Sequence, residues 1–188
     1  MKKDETQILP DAKAGWDKDW KRVGAEYYWR LRGHYHVVET YLHGAVLDIG
    51  CGPGFLAGKV FPNEGWYTGV DISEEGIAQA KGLFPGAHFS ALDVTKQSLP
   101  FPDRSFDTVV LSEIIEHLED STKVLAEAKR VCREYLVITL PISMGGVGHV
   151  WPTWAYADVV AKCAGLGTIL ELRECREHNF WLVWIRRA

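Results

Sequence analysis

The chain has 188 residues, 47% hydrophobic and 24% charged, with a net charge of −4. That length fits one domain with a single sizeable core, and the composition excludes a disordered chain, which needs low hydrophobicity with high net charge. The mild acidity argues against a dedicated nucleic-acid binder, whose footprint is a strong basic excess, and no apolar run approaches the ~20 residues that cross a bilayer.

Residues 16–31 (Trp16 to Leu31) read as an aromatic-rich amphipathic helix, and His34 to Leu42 as a second. Ala45-Val46-Leu47-Asp48-Ile49 is a buried strand that ends at glycine, and Pro53 falls where the first turn of the next helix is expected. Trp66 to Val70 forms a second strand ending in Asp71, and Ser73-Glu74-Glu75-Gly76 supplies an N-cap and an acidic first turn. Ala87 to Leu92 is a third strand with Asp93 at its tip. Leu99 to Asp103 is a turn-rich loop, and Phe106 to Leu111 a fourth strand. A helix over Asp120–Val131 leads to a fifth strand over Glu134–Leu140, then a glycine-rich loop from Pro141 to Pro152. Thr153 to Ala164 is helical, and Thr168–Arg173 with Phe180–Arg186 closes the sheet as an antiparallel pair. Short β-branched runs alternating with helical patterns define a mostly parallel sheet with crossover helices. Residues 1–44 read as an N-terminal helical extension, and 45–188 as the main domain.

Gly50-Cys51-Gly52-Pro53-Gly54 follows the first strand. Glycines there let the chain turn tightly and a ligand approach the backbone, and the start of the next helix favours an anionic group. The third glycine comes one place too early for the dinucleotide fingerprint, and Phe55 fills the fingerprint position, which disfavours a pyrophosphate. Asp71 can accept both hydroxyls of an adenosine ribose. Asp93 can accept from an adenine amino group while the backbone of Leu92 or Val94 meets the ring edge. These groups end neighbouring strands, where open α/β sheets bind ligands.

The chain resembles the class I S-adenosylmethionine-dependent methyltransferases. The matching residues are 46–54, Gly69-Val70-Asp71-Ile72-Ser73, Leu92-Asp93-Val94, 99–107 and Ser112-Glu113-Ile114-Ile115-Glu116-His117-Leu118. The resemblance implies a Rossmann-like seven-stranded sheet in the order 3-2-1-4-5-7-6, with strand 7 antiparallel. It places the methionine part of S-adenosylmethionine against Gly50, Cys51, Gly52 and Gly54. Asp71 then holds the ribose, Ile72 packs on the adenine, Asp93 faces the adenine amino group, and Ser112 sits near the methyl donor. Asp48 orders the glycine loop and reaches the methionine ammonium through water, and Trp20 or Tyr28 caps the cofactor.

Methyl transfer from a sulfonium needs alignment and exclusion of water rather than a covalent catalyst; alignment alone contributes roughly 7–11 kcal/mol in favourable cases. An oxygen acceptor also gains from a base, and His117 and His149 are the candidates. On a helical turn, Glu113, Glu116 and His117 share one face. With His149 they resemble the metal site of the small-RNA 2′-O-methyltransferases, although the same segment occurs in relatives with no metal, and no metal is expected here. The glycine-rich loop with His149, Trp151 and Trp154 reads as a substrate lid.

Lys18, Lys21, Arg22, Arg30 and Arg32 stand against Asp19 and Glu26, a local basic excess on a helix face that suits an anionic acceptor. The four cysteines, Cys51, Cys132, Cys163 and Cys175, form no C-x-x-C pair. That pattern fits neither a zinc ribbon nor a disulfide scaffold and points to a reducing, cytoplasmic compartment. The charged start, Met1 to Glu5, leads into no apolar segment and reads as lacking a signal peptide. The expected activity is methyl transfer to a small-molecule acceptor, with no membrane or nucleic-acid partner. The alternatives are a metal-assisted RNA 2′-O-methyltransferase and a non-catalytic cofactor-binding module.

Overall fold

A computed structural model describes residues 12–28, 32–60, 66–143 and 153–188. Two helices open the chain, α1 (Ala12–Tyr28) and α2 (Arg32–Glu39). Then follow β1 (Val46–Ile49), α3 (Ala57–Val60), β2 (Tyr67–Asp71), α4 (Glu74–Leu83), β3 (His88–Ala91) and β4 (Phe106–Ser112). After a 3-10 turn over Ile115–His117 come α5 (Thr122–Val131), β5 (Cys132–Pro141), α6 (Tyr156–Cys163), β6 (Gly167–Cys175) and β7 (Phe180–Arg187).

The seven strands lie in the order β3-β2-β1-β4-β5-β7-β6. Neighbours run parallel except β7, which is antiparallel to both β5 and β6. The sheet is therefore the one the resemblance implies.

Side chains alternate between the two faces of each strand, and two cores form accordingly. Leu47, Ile49, Val109, Leu111, Leu136 and Ile138 pack under α5 and α6. Val46, Tyr67, Val110 and Val137 pack under α2, α3 and α4. Asp48, Ser112 and Thr139 fall in step with the second set, so they face α2 rather than α5. On α2 the buried pair is His34 and Val38, one helical turn apart. The spacing brings an imidazole to the tips of β4 and β5 where an aliphatic stripe would otherwise continue.

Several element boundaries differ from expectation. The helix expected at Pro53 starts at Ala57, because Gly50, Gly52 and Gly54 have φ of +79°, +50° and +77° and cannot join a right-handed helix. Both opening helices start earlier in the chain than expected, with residues 29–31 outside the described residues. The fifth strand extends to Cys132–Pro141, held on both sides by β4 and β7. Ser73 caps α4 as expected, its Oγ accepting from Gly76 N at 3.0 Å.

Candidate functional site

The glycine turn after β1 is tied to the next strand. Gly50 N and Cys51 N both donate to Val70 O, at 2.8 and 3.1 Å. Asp71, at the tip of β2, accepts from Gly52 N through Oδ2 and from Ser73 N through Oδ1, each at 2.8 Å. One carboxylate thus joins the glycine turn to the start of α4, and each oxygen keeps a lone pair for a ligand hydroxyl. Burial raises the Asp71 pKa against the pull of those two N–H groups. Ile72, half-buried, lies beside it.

The cradle is lined by positions that a Cβ would fill. A Cβ on Gly54 would lie 2.9 Å from the Phe89 ring, and one on Gly52 would lie 2.8 Å from Trp20 Cζ2. The backbone approach expected at Gly52 is therefore covered by an indole of this chain. Trp20 is buried and also borders Gly76. Helix α1 is held there by Asp17, whose Oδ1 accepts from Ser73 Oγ at 2.5 Å and Glu75 N at 3.1 Å. Gln79 Nε2 adds a bond to Trp20 O at 3.2 Å. Trp20, one of the two residues the resemblance offers as a cap, thus lies over Gly52 and Gly76; the alternative, Tyr28, has its side chain outside the described residues.

Asp48 does not order the glycine turn. Its Oδ2 accepts from Tyr67 Oη on β2, and its buried Oδ1 has no hydrogen-bond partner among the described residues. Burial pushes its pKa up to about 7. Cys51 is buried in the turn, and burial drives its thiol pKa well up, so it is inert as a nucleophile. Asp93 folds onto its own turn, accepting from Thr95 N at 3.1 Å and Thr95 Oγ1 at 2.5 Å, and pairing with Lys96 Nζ at 2.9 Å. Burial would raise its pKa, but those donors outweigh it and lower it. Leu92 N donates to Asp71 O at 2.7 Å, which holds the third strand tip against the second. Val94 is buried in the core below.

Ser112, at the tip of β4, belongs to a polar cluster that sequence reasoning missed. Its Oγ lies 2.8 Å from His34 Nε2 and 3.1 Å from Thr139 Oγ1. Thr139 Oγ1 donates to Glu113 Oε1 at 3.0 Å and accepts from Glu113 N at 3.2 Å. Burial pushes Glu113 up to about 7. Glu116, fully buried, is pushed well up by burial and by Glu113, and neither of its oxygens finds a partner among the described residues.

Glu113 has φ +54°, and the helical turn begins only at Ile115. The common face expected for Glu113, Glu116 and His117 therefore does not form. His117 instead meets the ring of Trp16 edge-on, with centroids 4.9 Å apart. Among the described residues no group of three or more His, Cys, Asp or Glu is arranged to hold a metal ion. His149, Trp151 and the 145–148 glycines lie outside the described residues. In the basic stretch, Arg22 pairs with Asp19 at 3.4 Å and Lys21 with Glu75 at 3.8 Å, both at the surface. Lys18 is exposed, and the side chains of Arg30 and Arg32 are outside the described residues. All four cysteines are free and buried, and among the described residues no helix is long and apolar enough to cross a membrane.

A family described as methyltransferase domain matches residues 47–137, which spans the glycine turn, Asp71, Asp93 and Ser112. A phosphatidylethanolamine N-methyltransferase of Cereibacter sphaeroides is 34% identical over 97 residues, 48% of this chain and 46% of that protein. A probable S-adenosylmethionine-dependent methyltransferase of Mycolicibacterium smegmatis is 32% identical over 115 residues, 59% of this chain and 44% of that protein. The chain thus spans less than half the length of these curated relatives. A solved S-adenosylmethionine-dependent methyltransferase from Aquifex aeolicus shares the fold, with TM-score 0.73 and 20% identity over 92% of this chain and 98% of that one. Residues 47–137 thus match a methyltransferase domain, and the chain has the fold of the solved S-adenosylmethionine-dependent methyltransferase.

Proposed function

We propose that the chain binds S-adenosylmethionine across the tips of β1, β2 and β3, with β4 beside them, and transfers its methyl group to a small-molecule acceptor. The observation that carries this reading is the Asp71 carboxylate, which bridges Gly52 N and Ser73 N and still has lone pairs for a diol. The cofactor supplies an activated sulfonium leaving group. The glycine turn would take its amino-acid end, Asp71 the ribose, and Ile72 with Asp93 the base. Ser112 borders the methyl group. Trp20, closing on Gly52, keeps water from the crevice.

Residues 1–44 act in this reading as a helical cap on a domain of 45–188, and the location is cytoplasmic. His117, packed on Trp16, and His149 are the acceptor-side bases under consideration. The metal-assisted RNA reading needs Glu113, Glu116, His117 and His149 to converge, and the first three do not.

Calorimetric titration with S-adenosylhomocysteine tests the assignment. The wild-type chain is expected to bind, and Asp71→Ala to lose about a hundredfold or more in affinity, because two charge-assisted bonds of ~1.5–3 kcal/mol each disappear. Unchanged affinity in that variant would remove Asp71 from the ribose. Turnover of labelled cofactor with a panel of amine and hydroxyl acceptors separates an enzyme from a binding module.

A further inference from the structure

His34 lies outside the matched family segment of residues 47–137, yet its imidazole reaches the tip of β4. The ring is clamped by aromatic neighbours. It tilts on Phe180 with centroids 4.1 Å apart and meets Tyr35 edge-on at 5.3 Å. Phe180 is backed in turn by His178, at 6.3 Å. The ring nitrogen engaged is Nε2, which lies 2.8 Å from Ser112 Oγ and 3.3 Å from Thr139 Oγ1.

The donors and acceptors around it can be counted. Thr139 spends its hydroxyl proton on Glu113 Oε1. Thr139 Oγ1 can therefore accept from Ser112 Oγ at 3.1 Å, and Ser112 Oγ can accept from His34. The chain of donors runs His34 to Ser112 to Thr139 to Glu113. Every hydroxyl in it then both accepts and donates. Such directed chains hold each member in one orientation.

We propose that His34 is a positioning residue for methyl transfer: its Nε2–H orients Ser112 and, through Thr139, the Glu113 carboxyl, building an acceptor-side wall that faces the transferable methyl group and offers oxygen acceptors to the N–H groups of an amine there, whose lone pair attacks the methyl carbon as the sulfur leaves with the C–S electron pair. This inference rests on the cofactor placement proposed above. Burial and the charge of His178 lower the pKa of His34 to about 4. The imidazole is thus neutral near neutral pH and works as a hydrogen-bond donor, not as the base. Ser112 stands one residue beyond Leu111, which pairs with Ile49 at the start of the glycine turn. The wall and the cradle are therefore on adjacent strand tips.

Two cofactor analogues read the wall without a known acceptor. S-adenosylhomocysteine lacks the methyl group. Sinefungin carries a protonated amine on carbon where the sulfonium carries its methyl. Wild-type chain is expected to bind sinefungin the tighter of the two, by about tenfold, since a charged hydrogen bond contributes about that factor. His34→Gln, which carries an amide N–H near the place of Nε2, is expected to keep that preference. His34→Asn, whose amide falls short of that place, is expected to lose it while its S-adenosylhomocysteine affinity changes less than threefold. His34→Phe retains the aromatic packing and is expected to behave as Asn does.

Gln and Asn variants with the same analogue preference would overturn the proposal, as would equal losses for both analogues. The Gln and Asn pair decides the matter even where the Phe variant is misfolded, because both are polar and small. Failure of the wild-type chain to bind either analogue would instead strike the cofactor assignment itself.

Discussion

Gly52 is the residue at which local geometry and ligand access meet most directly. Its φ of +50° lies in the left-handed region that L side chains avoid. Its missing Cβ also leaves room for an indole, because a Cβ there would sit 2.8 Å from Trp20 Cζ2. Valine at this position therefore meets two penalties, a strained backbone of order 1–3 kcal/mol and displacement of Trp20. Gly52→Val is expected to lower the melting temperature and to weaken S-adenosylhomocysteine binding together. Gly82→Ala serves as the control, since nothing lies within 4 Å of a Cβ there. Scanning fluorimetry and calorimetry check the pair. A Gly52→Val protein that melts and binds as wild type would mean that the crevice neither uses this turn nor closes over it.

At the scale of elements, α1 is fastened against α4 by the polar contacts of Asp17 and Gln79 and against the body by the indoles of Trp16 and Trp20. Burial would raise the Asp17 pKa, but hydrogen bonds from Ser73, Glu75 and Lys13 outweigh it and hold it low. Loss of one charged bond of this kind costs about 1.5–3 kcal/mol. Asp17→Ala is expected to speed amide exchange along α1 by tenfold or more while the amides of β1, β4 and β5 exchange as before. Uniform exchange in both proteins would show that α1 is held by other contacts.

Neither Asp17 nor His34 was legible in the sequence, because their partners lie 56 and 78 residues away. Periodicity marked α1 and α2 as amphipathic but carries no information on which distant side chain a polar group meets. The reverse holds for the glycine turn, β2 and Asp71. Their spacing is local, and the physics that sets it, left-handed backbone followed by a strand-end carboxylate, acts within a short stretch. The metal-like grouping of Glu113, Glu116 and His117 failed for a local reason too. A left-handed Glu113 breaks the helical register on which the grouping depended.

At the scale of the whole molecule, buried acids outnumber buried bases among the described residues, and this sets how stability follows pH. Asp48 and Glu113 have pKa values raised to about 7, chiefly by burial. Asp71 and Glu116 are raised as well. Between about pH 4 and 7 the folded chain therefore holds protons that the unfolded chain has released. Stability falls with rising pH wherever the folded state binds more protons, so these groups stabilise the fold most below pH 4 and lose that contribution as pH passes 7. His34 opposes them over part of the range. With its pKa lowered to about 4, the unfolded chain binds the extra proton between about pH 4 and 6.5, and stability rises with pH there. Above about pH 6.5 the acids act alone. The melting temperature of the ligand-free chain is thus expected to peak on the acid side of neutrality and to fall between pH 6.5 and 8. Asp48→Asn keeps an acceptor for Tyr67 Oη and removes one of the titrating groups, so its decline over that interval is expected to be shallower than the wild type's. Fluorimetric melts of both proteins across pH 4.5–8.5 at constant ionic strength give the comparison. Parallel curves would show that Asp48 is already ionised in the folded chain, with its charge met by water or a cation reaching Oδ1.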